Sequence, residues 1–200
     1  MRDSRIDPTL AARARALLEE SARVKRAVAE RQAEAIARAA ALLIESFRAG
    51  GRALLFGNGG SAADALHVAA EWSGRLGRDR PALPALALGA NPSEVTAIAN
   101  DYGFELVFAR LVEAHGRPGD VAIALSTSGD SPNVLAAVDR ARERGLRTLA
   151  LAGKGGGKLA GRVEIAIVVP SDDTQRIQEA HIAIGHALAT LVEDALFPVG

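Results

Sequence analysis

RALLFGNGGSAADALHVAAEW, residues 52–72, runs from a short apolar stretch through a glycine-rich turn straight into a segment of helical spacing. A short apolar run that ends in glycines and opens a helix is the repeating unit of a parallel α/β sheet. Working outward, similar runs lie at 85–88, 121–125, 148–151 and 163–169, so with 52–56 the sequence predicts five strands. Helical stretches separate them at about 62–76, 92–100 with 105–114, and 132–144, and a last helix at 174–196 could be capped by Asp172 or Asp173. Strands alternating with helices predict an α/β fold, a five-stranded parallel sheet sandwiched by helices.

Upstream, residues 9–49 carry apolar side chains at helical spacing, Leu17, Val24 and Val28, then Ile36, Ala40, Leu43 and Phe47. Two N-terminal helices are predicted here, ended by Gly50-Gly51. They exceed what the sandwich needs, so their stripes pack either in an oligomer or back on the same chain. No linker or repeat interrupts the chain, and residues 1–200 are expected to form a single domain.

The composition narrows the possible functions. Of 200 residues, 48% are hydrophobic and 24% charged, which suits one globular unit. Twenty-four basic and 24 acidic residues cancel, and aromatics are only 4%, so neither a global field nor stacking platforms point to nucleic acid. With no cysteine, disulfides, thiol nucleophiles and Cys-ligated zinc are excluded. The apolar runs are far shorter than a membrane span, and the charged first 20 residues do not read as a secretory signal. A cytoplasmic location with no membrane partner is the expectation.

Ligands of such sheets bind beyond the carboxyl ends of the strands, where strand order reverses. Strand one ends in Gly57-Asn58-Gly59-Gly60-Ser61 and a helix follows at once, a place where backbone N–H groups and the helix dipole favour an anion. The spacing is neither the dinucleotide fingerprint nor a P-loop, and a plain tight turn is the competing reading. Strand three ends in Ser126-Thr127-Ser128-Gly129-Asp130-Ser131-Pro132, which again opens a helix. Four hydroxyls in six residues exceed what one N-cap requires. Asp130 counts against an anion unless its carboxylate points away. Two anion-ready loops together point to a sugar phosphate or a similar ligand.

His67 and Glu71, four apart, share one helix face and form a plausible metal or acid/base pair. The last helix carries Gln178, His181 and His186. At 100° per residue, Gln178 and His186 diverge by roughly 80° and His181 and His186 by roughly 140°, so the two histidines face different sides. His181 reads either as a surface or interface residue or as part of the site. Asn100-Asp101, followed by Tyr102-Gly103, reads as a helix end that could also bind sugar hydroxyls.

The ordered set Gly57-Asn58-Gly59-Gly60-Ser61, His67, Glu71, Asn100-Asp101-Tyr102-Gly103, Ser126-Thr127-Ser128-Gly129 and Arg176-Ile177-Gln178-Glu179 with His186 resembles the sedoheptulose 7-phosphate (phosphoheptose) isomerase family over nearly the whole chain. The resemblance implies a flavodoxin-like sugar isomerase (SIS) fold and a homotetramer with active sites between subunits. It implies conversion of D-sedoheptulose 7-phosphate to D-glycero-D-manno-heptose 7-phosphate, toward lipopolysaccharide or other heptosylated glycans. Ser61, Ser126, Thr127, Ser128 and Ser131 would hold the phosphate, while Asn58, Gly59, Gly60, Asn100 and Asp101, with Glu71 and Gln178, would line the sugar. Glu71 and His186 would transfer protons, and His67, Glu71, Gln178 and His186 match positions that bind zinc in some members. Asp130, Ala70 and the segment 171–175 depart from common family patterns without removing any of these groups.

The reaction needs a base for the C1 proton, an acid that supplies one at C2 and stabilisation of the enediol charge, roles suited to Glu71, His186 and zinc. A metal-bound Glu is a poorer base and a metal-bound His a poorer acid, so ligation is either loose during turnover or only organising. Two alternatives stand beside it: a tetrameric adaptor that shares the fold and many of these motifs and binds the bacterial replication initiator, and a sugar-phosphate sensor or amino-sugar-phosphate lyase, which the hydroxyl loop would serve equally well. The adaptor has no need of His67, Glu71, Gln178 and His186.

Overall fold

The computed structural model describes residues 7–198; the ends of the expected 1–200 domain, residues 1–6 and 199–200, lie outside the described residues. The elements in chain order are α1 (Pro8–Arg48), β1 (Ala53–Gly57), α2 (Gly60–Ser73), β2 (Ala85–Ala87), α3 (Pro92–Tyr102), a 3₁₀ turn (Phe104–Leu106), α4 (Val107–His115), β3 (Val121–Ser126), α5 (Pro132–Glu143), β4 (Arg147–Ala152), a second 3₁₀ turn (Lys154–Gly156), β5 (Ile165–Val168) and α6 (Thr174–Leu196). All five strands pair in parallel in the order β2-β1-β3-β4-β5, as the alternation of strands and helices predicts.

The strand side chains alternate between two cores, as a period of two requires. Leu55, Ile123, Leu149 and Ile167 face α1, α2 and α6, while Leu54, Phe56, Ala122 and Ala150 face α4 and α5. Burial on both sides explains why β1 and, up to Ser126, β3 are apolar at every position.

One expectation is corrected. The region 9–49 holds one continuous helix, Pro8–Arg48, rather than two: Asp7 accepts from Thr9 N–H as its N-cap, Pro8 sits in the first turn, and no later glycine or proline stops it before Gly50. Its stripe packs in part back on the same chain. Val24, Val28, Ala39, Ala40 and Leu43 are buried in this chain's own core, while Leu10 and Leu18 are 66% and 71% exposed. The predicted last helix, 174–196, is matched at both ends, with Asp173 rather than Asp172 as its cap. Among the described residues no helix is long and apolar enough to cross a membrane.

Candidate active site

The strand order reverses between β1 and β3, and the two loops singled out by their glycines and hydroxyls leave those strands. Their helices share a feature. Helices α1, α3 and α6 have side-chain caps, Asp7, Asn91 and Asp173. Helices α2, α4 and α5 have none, but α4 continues directly from a 3₁₀ turn, whereas the N-cap of α2 is Gly59 and Ser131 at the N-cap of α5 makes no capping bond. A side-chain cap normally satisfies first-turn N–H groups, so two uncapped N-termini side by side are places suited to an anion.

The Ser131 hydroxyl lies 3.2 Å from Ser126 Oγ, which lies 3.5 Å from Ser128 Oγ and accepts from Gly129 N–H at 3.1 Å. Three of the four hydroxyls thus gather on one turn, and the simple-cap reading fails. The Asp130 carboxylate is turned away and accepts from Lys158 N–H at 3.1 Å, which removes the objection it raised. Asn58 and Asn133 exchange two amide hydrogen bonds, each 2.8 Å, and tie the β1 loop to the start of α5. Beside them a pocket of about 280 Å³ is lined by Asn58, Phe104, Glu105, Ser131, Pro132 and Asn133. Ser61, 3% exposed, sits in the first turn of α2. Asn100 and Asp101 lie exposed at the end of α3, the amide of one donating to the carboxylate of the other at 2.9 Å.

The titratable cluster forms where α2 meets α6. Gly185 makes the close approach possible, because a Cβ there would run into the Val68 side chain. His67 and His186 are the next residues along, and their Nε2 atoms come within 3.0 Å. Glu71 Oε1 lies 3.1 Å from His67 Nε2. His67 is exposed and Glu71 and His186 half-buried, so the cluster is open on one side. Gln178, the fourth expected ligand, does not join it: its amide packs over the Cα of Gly60, at the anion end of α2.

His67, Glu71 and His186 offer one ligand atom each, all within 4.8 Å of one another. Tetrahedral zinc with nitrogen ligands at about 2.0–2.1 Å holds them about 3.3 Å apart, close to the observed spacing, and two His with one Glu and an open fourth position is a catalytic zinc set. The donor set therefore fits the metal. On the same helix face as His67, burial pushes the Asp64 carboxyl above its ordinary pKa, with His67 opposing the shift, and its Oδ2 has no hydrogen-bond partner.

His181 requires a correction. It is neither surface nor interface but 0% exposed, with both ring nitrogens unpartnered, because it faces inward from α6. Burial lowers its pKa from 6.5 to about 4, against a smaller contribution from the Ala152 backbone. Sequence reading also missed Asn133 and Gly185. The only signals were an Asn just after the Pro of a helix start and a Gly immediately before His186.

The SIS domain family model matches residues 17–153 of the chain. The phosphoheptose isomerase of Rhodospirillum rubrum is 56% identical over 164 residues, covering 82% of this chain and 87% of that protein. The solved phosphoheptose isomerase of Neisseria gonorrhoeae superposes with a TM-score of 0.87 at 42% identity, covering 92% of this chain and 99% of that one. The corresponding structure from Francisella tularensis gives 0.88 at 35% identity, covering 92% and 98%.

Proposed function

The chain belongs to the SIS-domain family and, within it, to the phosphoheptose isomerases, and from that premise we propose how its side chains divide the work. It is an aldose–ketose isomerase that converts D-sedoheptulose 7-phosphate to D-glycero-D-manno-heptose 7-phosphate. The observation that carries the division of labour is the meeting of His67, Glu71 and His186 beside two uncapped helix N-termini.

The phosphate is assigned to Ser61, Ser126, Thr127, Ser128 and Ser131 with the N-termini of α2 and α5. The sugar is assigned to Asn58, Gly59, Gly60, Asn100, Asp101 and Gln178, whose amide already lies against the Gly60 backbone. Anchoring the far end of the substrate turns proton transfer at the other end into an intramolecular event. Glu71 takes the proton from C1 as His186 donates to the C2 oxygen, giving the enediol. Glu71 then returns its proton to C2 while His186 recovers one from the C1 oxygen, so the proton count closes. Glu71 also keeps the neighbouring imidazole oriented through its 3.1 Å contact with His67. His67, Glu71 and His186 would hold a zinc ion, which when bound supplies Lewis-acid stabilisation of the developing oxyanion.

Further assignments rest on the same family. A homotetramer is supported by the exposed apolar residues Leu10 and Leu18 near the start of α1 and by Tyr102, Phe104 and Leu106 beside the cleft. We assign the chain to the cytoplasm, as one domain, supplying heptose to lipopolysaccharide or related glycans. No observation favours the adaptor.

Purified protein incubated with sedoheptulose 7-phosphate is expected to form the aldose, to lose activity in chelator and to regain it with zinc. Absence of aldose from zinc-loaded protein overturns the assignment, and undiminished turnover of metal-free protein removes the metal from it. Asn133→Ala strands the Asn58 amide, a loss of about 1–2 kcal/mol. We expect KM to rise about 5–30-fold with kcat little changed, measured by steady-state kinetics.

A further inference from the structure

Helix α2 ends without a basic residue in its last turn, and its final carbonyls are satisfied from elsewhere. Arg80, on the segment leading to β2, reaches back to them. Its Nη2 donates to the carbonyl of Glu71 at 2.7 Å, and its Nη1 donates to Trp72 at 2.8 Å and Gly74 at 3.2 Å. Its Nε donates to Glu193 Oε2 at 3.0 Å. The Arg80 side chain is 2% exposed and that of Glu193 4%.

Glu193 belongs to α6. It lies seven residues after His186, on the same face to within about 20° and about 10 Å farther along the axis. Besides Arg80 it accepts from the N–H groups of Gly77 and Arg78, both at 3.1 Å, in the loop that leaves α2. One planar guanidinium therefore spans the backbone of Glu71 and the helix that carries His186. Buried ion pairs are poor value as plain stabilisers, since apolar replacements of similar volume are often neutral or better. This one joins the two helices whose spacing sets the cluster.

We propose that Arg80, held by Glu193, is a positioning residue for isomerisation: it fixes the end of α2 against α6 so that Glu71 and His186 keep the separation that proton transfer demands. The proposal rests on the assignment of Glu71 and His186 as the proton-transfer pair. Displacement of a reacting group by about 1 Å can cost 10²-fold in rate. A lysine keeps the charge but cannot donate in a fork to the Glu71 carbonyl and Glu193 together.

The test measures kcat and KM per folded, zinc-loaded molecule for Arg80→Lys, Glu193→Gln and the double variant Arg80→Met, Glu193→Gln, which leaves neither charge buried alone. Folding is followed by circular dichroism. Each folded variant is expected to lose about 10–100-fold in kcat with KM within about threefold, because the phosphate loops are untouched. Unchanged kcat, a loss explained by the unfolded fraction, or an equal rise in KM overturns the proposal, and so does failure of all three variants to fold. These outcomes are distinct from failure of the underlying assignment, which would leave Glu71→Gln active whatever Arg80 does.

Discussion

Glu71→Gln is expected to lower kcat by about 10²–10⁴-fold while KM for the sugar phosphate stays within a few-fold. The substitution is nearly isosteric. A glutamine can still meet His67 Nε2, which now lies 3.1 Å from Glu71 Oε1, so the packing of α2 against α6 should survive. What disappears is the only carboxylate in the His67, Glu71, His186 cluster, and with it the group able to take a proton from carbon. Binding should persist because the phosphate site we propose lies elsewhere, at the hydroxyl loop and the uncapped starts of α2 and α5. Steady-state kinetics gives the split, and exchange of the C1 hydrogen with deuterated solvent isolates the first step. Zinc content measured alongside separates loss of a base from loss of a ligand. A fully loaded variant with near-normal turnover would remove Glu71 from its role. The same logic makes the pair non-additive: once Glu71→Gln has stopped proton abstraction, adding His186→Gln should cost little more.

The sheet was legible because its central strands are buried on both sides and so read as unbroken apolar runs, Ala53 to Phe56 and Val121 to Leu125 being the clearest. The hydroxyl loop was legible because Ser126, Thr127, Ser128 and Ser131 crowd one turn, and His67 with Glu71 because four residues make one helical turn. The continuity of α1 was not, since amphipathic spacing marks a helix without marking where it stops, and 41 residues exceed the usual globular length. Nor could spacing show how α2 packs on α6, although the resemblance grouped His67 and Glu71 with His186. That packing depends on Gly185 letting Val68 approach and on Arg80 reaching across to Glu193, contacts set by tertiary packing that no local spacing records. The helical wheel did separate His181 from His186 correctly. It could not say which of the two faces was the core, because the residues around both are a mixture of Ala, Ile and Leu.

That inward face makes the chain sensitive to mild acid. His181 is fully buried and neutral in the folded protein, with a pKa pushed from 6.5 to about 4 by burial. In the unfolded chain the ring takes up a proton as pH falls below 6.5, while the folded chain refuses it until about pH 4. The unfolded state therefore binds more protons throughout that window. Stability is complete above the unfolded value, falls as pH drops through the window, and levels off below the folded value. At 1.36 kcal/mol per unit, the whole window is worth about 3 kcal/mol and the step from pH 7 to 5 about 2 kcal/mol. Urea unfolding at these two pH values, at one protein concentration so that assembly does not shift the comparison, should show this loss in the parent chain. In His181→Leu the step should shrink by about 2 kcal/mol, because nothing buried at that position can then take a proton. The variant should also be no less stable than the parent at pH 7 by more than about 1 kcal/mol. The leucine fills similar space, and the two ring nitrogens it replaces lose at most a weak contact with the Ala152 backbone, too poor in geometry to count as a hydrogen bond. Equal pH steps in parent and variant would mean that the buried imidazole is not what acid attacks, and that His181 gains a partner, such as an enclosed water, able to carry its proton in the folded state.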